Sequence, residues 1–280
     1  MKYSIGILGN GFVGSAIASG FGLHADIKIY DVSPQKTMHS FEETVNSDFV
    51  FVCVPTPMSI KNKNEIDLSI INSVFQRISK LPTLDNEKTI FIIKSTAIPG
   101  TTSSLAEAFP SLNIVFNPEF LTERAARLDF INASRIVLGG PEQLCNRVED
   151  MYRVRFPYTK IVKTDSTTAE FIKYMCNTFF ATKISFMNEL KQLSDKLNLD
   201  WDKAMEGFVS DGRIGNSHLD VPGHDGSVGF GGKCFPKDLN AMINFFACNN
   251  VDPKVLTAVW EKNLEVRSDH DWKDIEGATS

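Results

Sequence analysis

Apolar residues in the first 165 positions fall in short, nearly unbroken runs, and beyond them they recur at helical spacing. The runs Ile5 to Leu8, DIKIY (26–30), DFVFVCV (Asp48 to Val54), TIFIIKS (Thr89 to Ser95), NIVF (Asn113 to Phe116), RIVLGG and KIV predict strands. Helical patterns at Ser15 to Phe21, Leu68 to Leu81 and Glu142 to Phe156 separate them. Unbroken apolar strands alternating with helices predict a parallel sheet covered on both faces. From Ser166 to Asn198 there is neither Pro nor Gly, which predicts one helix of about 30 residues. Thr168 or Ser166 is placed to cap it, with acidic Glu170 in its first turns. Such a length exceeds the usual globular helix, so this element is expected to bridge two domains and to pack on a partner subunit. Further helices are expected at Trp201 to Phe208, Leu239 to Asn249 and Lys254 to Val266, around a glycine-rich loop from Asp220 to Cys234.

The first strand runs into Gly9-x-Gly11-x-x-Gly14, a helix follows, and the second strand ends at Asp31. That is the dinucleotide-binding fingerprint in its strand–turn–helix–strand setting. Gly9 makes the tight turn, Gly11 lets a pyrophosphate approach the backbone, and Gly14 lets helix and strand pack closely. The helix N-terminus offers N–H groups to phosphate, and Asp31 suits a ribose 2′-hydroxyl, which favours NAD over NADP. The expected fold class is therefore α/β: a Rossmann-type doubly wound parallel sheet over residues 1–165. A long bridging helix (166–198), a small all-helical domain (199–268) and a frayed tail rich in Asp, Ser and Thr (269–280) follow. A β-to-α turn explains Pro55-Thr56-Pro57, Ser95-Thr96 leading to Pro99-Gly100, or Asn117-Pro118-Glu119 singly. Three of them on the carboxyl rim of one sheet suggest a site.

Composition narrows the function classes. A net charge of −5 without a long basic run argues against a nucleic-acid surface. No apolar stretch approaches the roughly 18 residues needed to span a bilayer, and no signal peptide is expected. Five scattered cysteines without a CxxC pair fit reduced thiols in a cytoplasmic compartment and no metal site. Cys53, Cys176 and Cys248 are expected in or near the core. Cys234 differs, because in GFGGKCFPKD it stands in a glycine-rich bend with lysines on both sides. Such surroundings favour the attacking thiolate, although a solvated loop with an incidental cysteine reads the same way.

The GxGxxG turn, KSTAIPGTT, NPEFLTE, AEFIKYMCNTFFATKISFMNEL and GFGGKCFPKD, in this order, make most of the chain resemble the UDP-glucose/GDP-mannose dehydrogenase family. The resemblance implies two successive NAD-dependent oxidations of a sugar primary alcohol to a carboxylate, with a cysteine thioester between them. The cofactor is expected at Gly9, Gly11, Phe12, Val13, Gly14, Asp31, Pro55, Thr56, Thr96 and Glu123, and a nucleotide sugar, with UDP favoured, at Glu119, Phe120, Leu121, Lys173, Asn177, Gly231 and Lys237.

Lys173 and Asn177 stand four apart on the long helix and so share a face. Lys173 is expected as base or oxyanion partner and Asn177 as neutral donor, unless both belong to a solvated face. Cys234 would carry the thiohemiacetal and thioester. Glu119 and Glu123, with Thr96, match the family's acids and hydroxyl; Glu119 is assigned as general base of the thioester step, and Thr96 and Asp238 position water. Asp238 is expected at the start of a helix. Lys237 holds a substrate phosphate or hydroxyl, or is a surface lysine.

Arg124 stands where relatives commonly have glycine, His218 where an aromatic is usual, and VPGHDG looks inserted. Typical members also continue for another hundred or more residues in a domain that grips the nucleotide. A homodimer through the long helix is expected. Two rival readings stand beside this one: a two-electron β-hydroxyacid dehydrogenase, which needs no cysteine, and a non-catalytic NAD-binding remnant.

Overall fold

The computed structural model describes residues 2–59, 64–82, 84–85, 87–275 and 277–279. The chain divides into two compact units, Met1–Thr56 with Asp67–Lys173, and Pro57–Ile66 with Tyr174–Ser280.

The first unit contains β1 (Ser4–Leu8), α1 (Phe12–Phe21), β2 (Asp26–Tyr30), α2 (Phe41–Val45), β3 (Phe49–Val52), α3 (Ser69–Ile78) and β4 (Ile90–Ile93). It continues with α4 (Thr101–Ala108), β5 (Asn113–Phe116), α5 (Ala126–Ile131), β6 (Arg135–Gly139), α6 (Glu142–Arg155) and β7 (Lys160–Thr164). The strands form one sheet in the order β2-β1-β3-β4-β5-β6-β7. Alternate residues serve opposite layers: Ile5, Ile7, Phe49, Phe51, Ile90 and Ile92 pack on one face with Phe21, Tyr152 and Phe156. Leu8, Val50, Val52, Phe91 and Ile93 pack on the other with Phe75 and Leu105. Period-two side chains that are apolar on both faces are what a doubly covered sheet requires.

The all-parallel expectation fails at one seam. β5 meets β6 antiparallel, through the pair Phe116 and Gly139, while β6 and β7 run parallel to each other. A parallel pair needs a crossover element lying over the sheet. The only α-helix between β5 and β6 is α5, and it packs on α1 instead: the Phe130 ring lies against Phe21, with centroids 5.9 Å apart. The strand order reverses between β2-β1 and β3, so the crevice beyond the carboxyl ends of β1 and β3 is the expected ligand position.

Helix α7 (Ser166–Lys196) begins in the first unit and continues in the second. Its cap is Asp165, whose carboxylate accepts the Thr168 N–H at 2.8 Å. Ser166 and Thr168 lie inside the helix and do not cap it. In the second unit follow α8 (Trp201–Val209), α9 (Cys234–Cys248) and α10 (Lys254–Val266). Ala181, Phe230, Leu239 and Val259 form one core there, and Met187, Leu219 and Val221 another.

The end expected to fray is instead packed. Trp272 is buried, 5.3 Å from the Trp260 ring and stacked on His270, and the Met58 N–H donates to the Gly277 carbonyl at 3.0 Å. An aromatic amid polar residues gave the tail an anchor that its composition hid. Cys248, expected near the core, is exposed at the last turn of α9, whereas Cys53 and Cys176 are half-buried.

Candidate functional site

In the turn after β1, main chain closes tightly on main chain. Gly9 has φ +96°, and a Cβ there would lie 2.5 Å from the Cys53 carbonyl oxygen. At Gly14 a Cβ would lie 2.0 Å from the Gly9 carbonyl oxygen, so the helix could not sit where it does. At Gly11 a Cβ would meet nothing within 4 Å, which leaves the backbone open to a ligand. Gly11 caps α1 without a side-chain hydrogen bond, so the first-turn N–H groups, including those of Phe12 and Val13, have no side-chain cap. Open backbone and uncapped donors at a helix N-terminus fit a pyrophosphate. Asp31 lies at the end of β2, where its carboxylate accepts the N–H groups of Asn10 at 2.7 Å and Ser33 at 2.8 Å. These bonds fix the carboxylate and leave each oxygen a further lone pair for a ribose hydroxyl. The residues present therefore fit a dinucleotide.

Beyond β3 and β4, the Thr56 hydroxyl donates to the Thr96 carbonyl at 2.7 Å, and the Ser95 hydroxyl to the Val54 carbonyl at 2.6 Å. These bonds tie two of the expected rim turns together, with Pro55 in one of them. The third turn holds a buried ion pair, Lys173 Nζ to Glu119 Oε1 at 2.8 Å, with both side chains less than a tenth exposed. The other Glu119 oxygen accepts the Leu121 N–H at 2.7 Å. Phe120 has two cations near its ring, with the Arg135 guanidinium 4.0 Å and Lys173 Nζ 5.8 Å from its centroid. Glu123 is exposed in a short 3-10 turn.

In the second unit, Asp238 is enclosed. Asn177 donates to one oxygen at 2.5 Å and Lys237 to the other at 2.6 Å. Lys237 is thus a buried ion-pair partner and no surface lysine. Lys173 and Asn177 share a helix face as expected but serve different carboxylates. Helix α9 starts at Cys234, five residues earlier than the sequence pattern indicates, because the -CFPKD- segment carries Pro236 in the first turn, where proline is tolerated. Asp238 consequently lies in the second turn, and the exposed Cys234 is the first helical residue.

Sequence reasoning missed what supports these groups. Lys94 is buried and donates to Asn117 Oδ1 at 2.8 Å and to the Pro118 carbonyl at 3.1 Å. Burial pushes its ammonium down to about 8, against the opposing pull of Glu119. A charge ending the apolar run TIFIIK was the available signal. Glu170 lies in the first turns of α7 as expected and also caps α4, accepting from Gly100 N–H, Thr102 N–H and the Thr102 hydroxyl at 2.6–2.7 Å. Burial pushes its carboxyl up, against those same bonds.

The loop before Cys234 is braced from afar. Asn263 accepts from Phe230 N–H at 2.7 Å and donates to its carbonyl at 2.9 Å, and Asn188 accepts the Gly229 N–H at 3.0 Å. Asp271 accepts the Gly232 N–H at 2.9 Å and pairs with Arg267, which also holds Asp225 at 2.9 Å. A Cβ at Gly231 would lie 2.4 Å from the Arg267 guanidinium, so Gly231 makes room for that brace. His218 stacks on Phe180 with centroids 4.2 Å apart, which supplies the flat contact of the aromatic expected there.

A glycine turn shaped for pyrophosphate, at the switch point of a doubly wound sheet, defines a dinucleotide-binding protein of the Rossmann class. Residues 33–155 match the NAD binding domain, and residues 167–265 the central domain, of the UDP-glucose/GDP-mannose dehydrogenase family. The chain belongs to that family, and the cofactor of the matched domain is NAD. A UDP-glucose 6-dehydrogenase of Rickettsia bellii is 38% identical over 233 residues, covering 80% of this chain and 51% of its own length. The chain thus spans about half the length of the curated relatives it matches. A UDP-glucose dehydrogenase structure from Pyrobaculum islandicum superposes with a TM-score of 0.83 at 28% identity, over 95% of this chain and 68% of the other. The Mycobacterium tuberculosis 3-hydroxyisobutyrate dehydrogenase shares the fold, with a TM-score of 0.77 at 17% identity over 96% of this chain and 95% of the other. Among the described residues, no helix is long and apolar enough to cross a membrane and no cluster could hold a metal ion.

Proposed function

We propose that the chain carries the redox chemistry of an NAD-dependent nucleotide-sugar 6-dehydrogenase, taking a primary alcohol to a carboxylate in two oxidations, with a UDP-sugar as substrate. The observation that carries this reading is Cys234, exposed at the first position of α9 and one turn ahead of the enclosed Lys237–Asp238 pair. A helix N-terminus is a setting that stabilises a thiolate. When bound, NAD accepts a hydride at each of the two stages. Lys173 takes the hydroxyl proton or balances the alkoxide, and Asn177 donates to the same oxygen. The Cys234 thiolate then adds to the aldehyde carbon, giving a thiohemiacetal whose C–H is again a hydride donor. Loss of that hydride leaves a thioester. Glu119 removes a proton from water, Thr96 and Asp238 orient it, and the C–S bond breaks to release carboxylate and thiolate.

The test counts NADH per molecule consumed across UDP-, GDP- and ADP-sugars, with mass spectrometry of Cys234 for an acyl adduct. Two NADH and an adduct are expected; a single NADH from the unmodified protein sinks the reading. Because the fold is shared with a 3-hydroxyisobutyrate dehydrogenase, Cys234→Ala separates the two chemistries: full activity favours the two-electron reaction. NAD binding without turnover on any substrate favours the remnant.

The same reading includes a homodimer through α7. Met175, Phe179, Phe186, Leu190 and Leu193 are 39–61% exposed, and their spacing of four, seven, four and three traces one stripe along the helix. Phe179→Glu with Leu193→Glu is expected to give a monomer in light scattering. Five scattered cysteines without a CxxC pair suit a reducing cytoplasm.

A further inference from the structure

Lys94 takes no part in this scheme, yet it is among the most enclosed charges of the nucleotide-binding unit, with 6% of its surface exposed at the end of β4. A buried ammonium persists where hydrogen bonds compensate its lost hydration. Here they lead to the two residues directly before Glu119. Lys94 Nζ holds Asn117 Oδ1 and the Pro118 carbonyl. Asn117 Oδ1 also accepts the Tyr152 hydroxyl at 2.6 Å, while Asn117 Nδ2 donates to the Val137 carbonyl at 2.7 Å. The corner from which Glu119 extends is thereby tied to β4, β6 and α6.

We propose that Lys94 is a positioning residue: it fixes the Asn117–Pro118 corner and, through its charge, keeps Glu119 a carboxylate beside Lys173. This rests on the reading of Glu119 as base of the thioester step. The titratable groups facing Lys94 are Cys53 after β3, Glu119 after β5, Tyr152 on α6 and Lys173 on α7. Burial pushes the Cys53 thiol up to about 12, and pushes the Tyr152 phenol up as well, so both are neutral near pH 7. One carboxylate and two ammonium groups remain. Removing the Lys94 charge makes proton uptake by Glu119 easier, because an opposite charge nearby favours the ionised form.

Three variants of the 280-residue chain test this: Lys94→Met, Lys94→Gln, which keeps a neutral donor for Asn117, and Lys94→Arg, which keeps the charge. The Glu119 carboxyl is titrated by carbon-13 NMR, assigned with Glu119→Gln, and release of acyl-Cys234 is followed by quenched mass spectrometry. The Glu119 midpoint is expected to lie higher in the two neutral variants than in wild type and to stay near wild type in Lys94→Arg. Acyl-Cys234 is expected to accumulate in the neutral variants, and not in Lys94→Arg, as the pH falls through the Glu119 midpoint, with release recovering as the pH rises. A Glu119 midpoint that does not move in whichever neutral variant folds overturns the proposal. Should the unmodified protein form no acyl-Cys234, the thioester reading fails, and the Glu119 titration still decides whether Lys94 governs its proton.

Discussion

The turn at Gly9–Gly14 and the loop at Gly229–Gly232 are both glycine-rich, and they are built by different means. In the first, main chain closes on main chain: the Gly9 and Cys53 carbonyl oxygens occupy the space that a Cβ at Gly14 or Gly9 would need. In the second, side chains do the closing, with Asn188, Asn263 and Asp271 bonding the backbone of residues 229, 230 and 232. A turn made by missing atoms admits no substitute, whereas a loop made by braces can be loosened one brace at a time. The first suits a rigid phosphate site, and the second sets the entry to α9, where Cys234 begins the helix.

The sharpest break of this comparison is Gly14→Ala. The new Cβ meets a backbone oxygen at 2.0 Å, which cannot swing aside as a side chain can. NAD affinity measured by calorimetry is expected to fall by about a hundredfold or more as the helix N-terminus leaves the pyrophosphate. Near-normal binding would mean that the turn is not main-chain limited.

Next in size is Asn263→Ala, which strips Phe230 of both its donor and its acceptor contact in a fully buried position. Unbonded buried groups cost about 1–3 kcal/mol each, so denaturant unfolding should show a loss of about 2–6 kcal/mol with NAD affinity unchanged. A matching loss of NAD affinity would contradict the separation between the two turns. Arg267→Lys is a milder cut, because a point charge cannot serve Asp225, Asp271 and the Asp269 carbonyl together. A loss of about 1–2 kcal/mol is expected, with faster alkylation of Cys234 by iodoacetamide as the loop loosens.

The same contrast explains what the sequence made legible. Gly9, Gly11 and Gly14 act through local spacing, and the alternating apolar strands act through period-two burial, so both were readable in place. Asn263 lies 33 positions from the Phe230 backbone and Arg267 lies 42 from the Asp225 carboxylate, and nothing local marks them. The start of α9 was misplaced for a related reason: Gly231, Gly232 and Pro236 read as a bend, yet proline in a first turn belongs to the helix it seems to break. The antiparallel seam at β5 and β6 was hidden because strand direction depends on where the connecting helix packs, and Phe130 chose α1. Lys173 and Asn177 were found as a pair, but their partners, Glu119 and Asp238, lie 54 and 61 positions away.

The nucleotide-binding unit has side-chain braces too, and the smallest prediction probes one of them. Lys94 carries an ammonium that burial pushes down to about 8 from an ordinary 10.5. Between those values the unfolded chain binds the proton that the folded chain has released, so stability contributed through Lys94 rises with pH across the window and is lost as pH falls through about 8. Unfolding of wild type and Lys94→Met should therefore be compared at pH 7 and pH 10. The difference in unfolding free energy is expected to shift toward wild type at the higher pH, whatever its sign at the lower. A pH-independent difference would mean that Lys94 holds the Asn117–Pro118 corner by its hydrogen bonds alone. In that case its charge would not be the feature that sets the nucleotide-binding half apart.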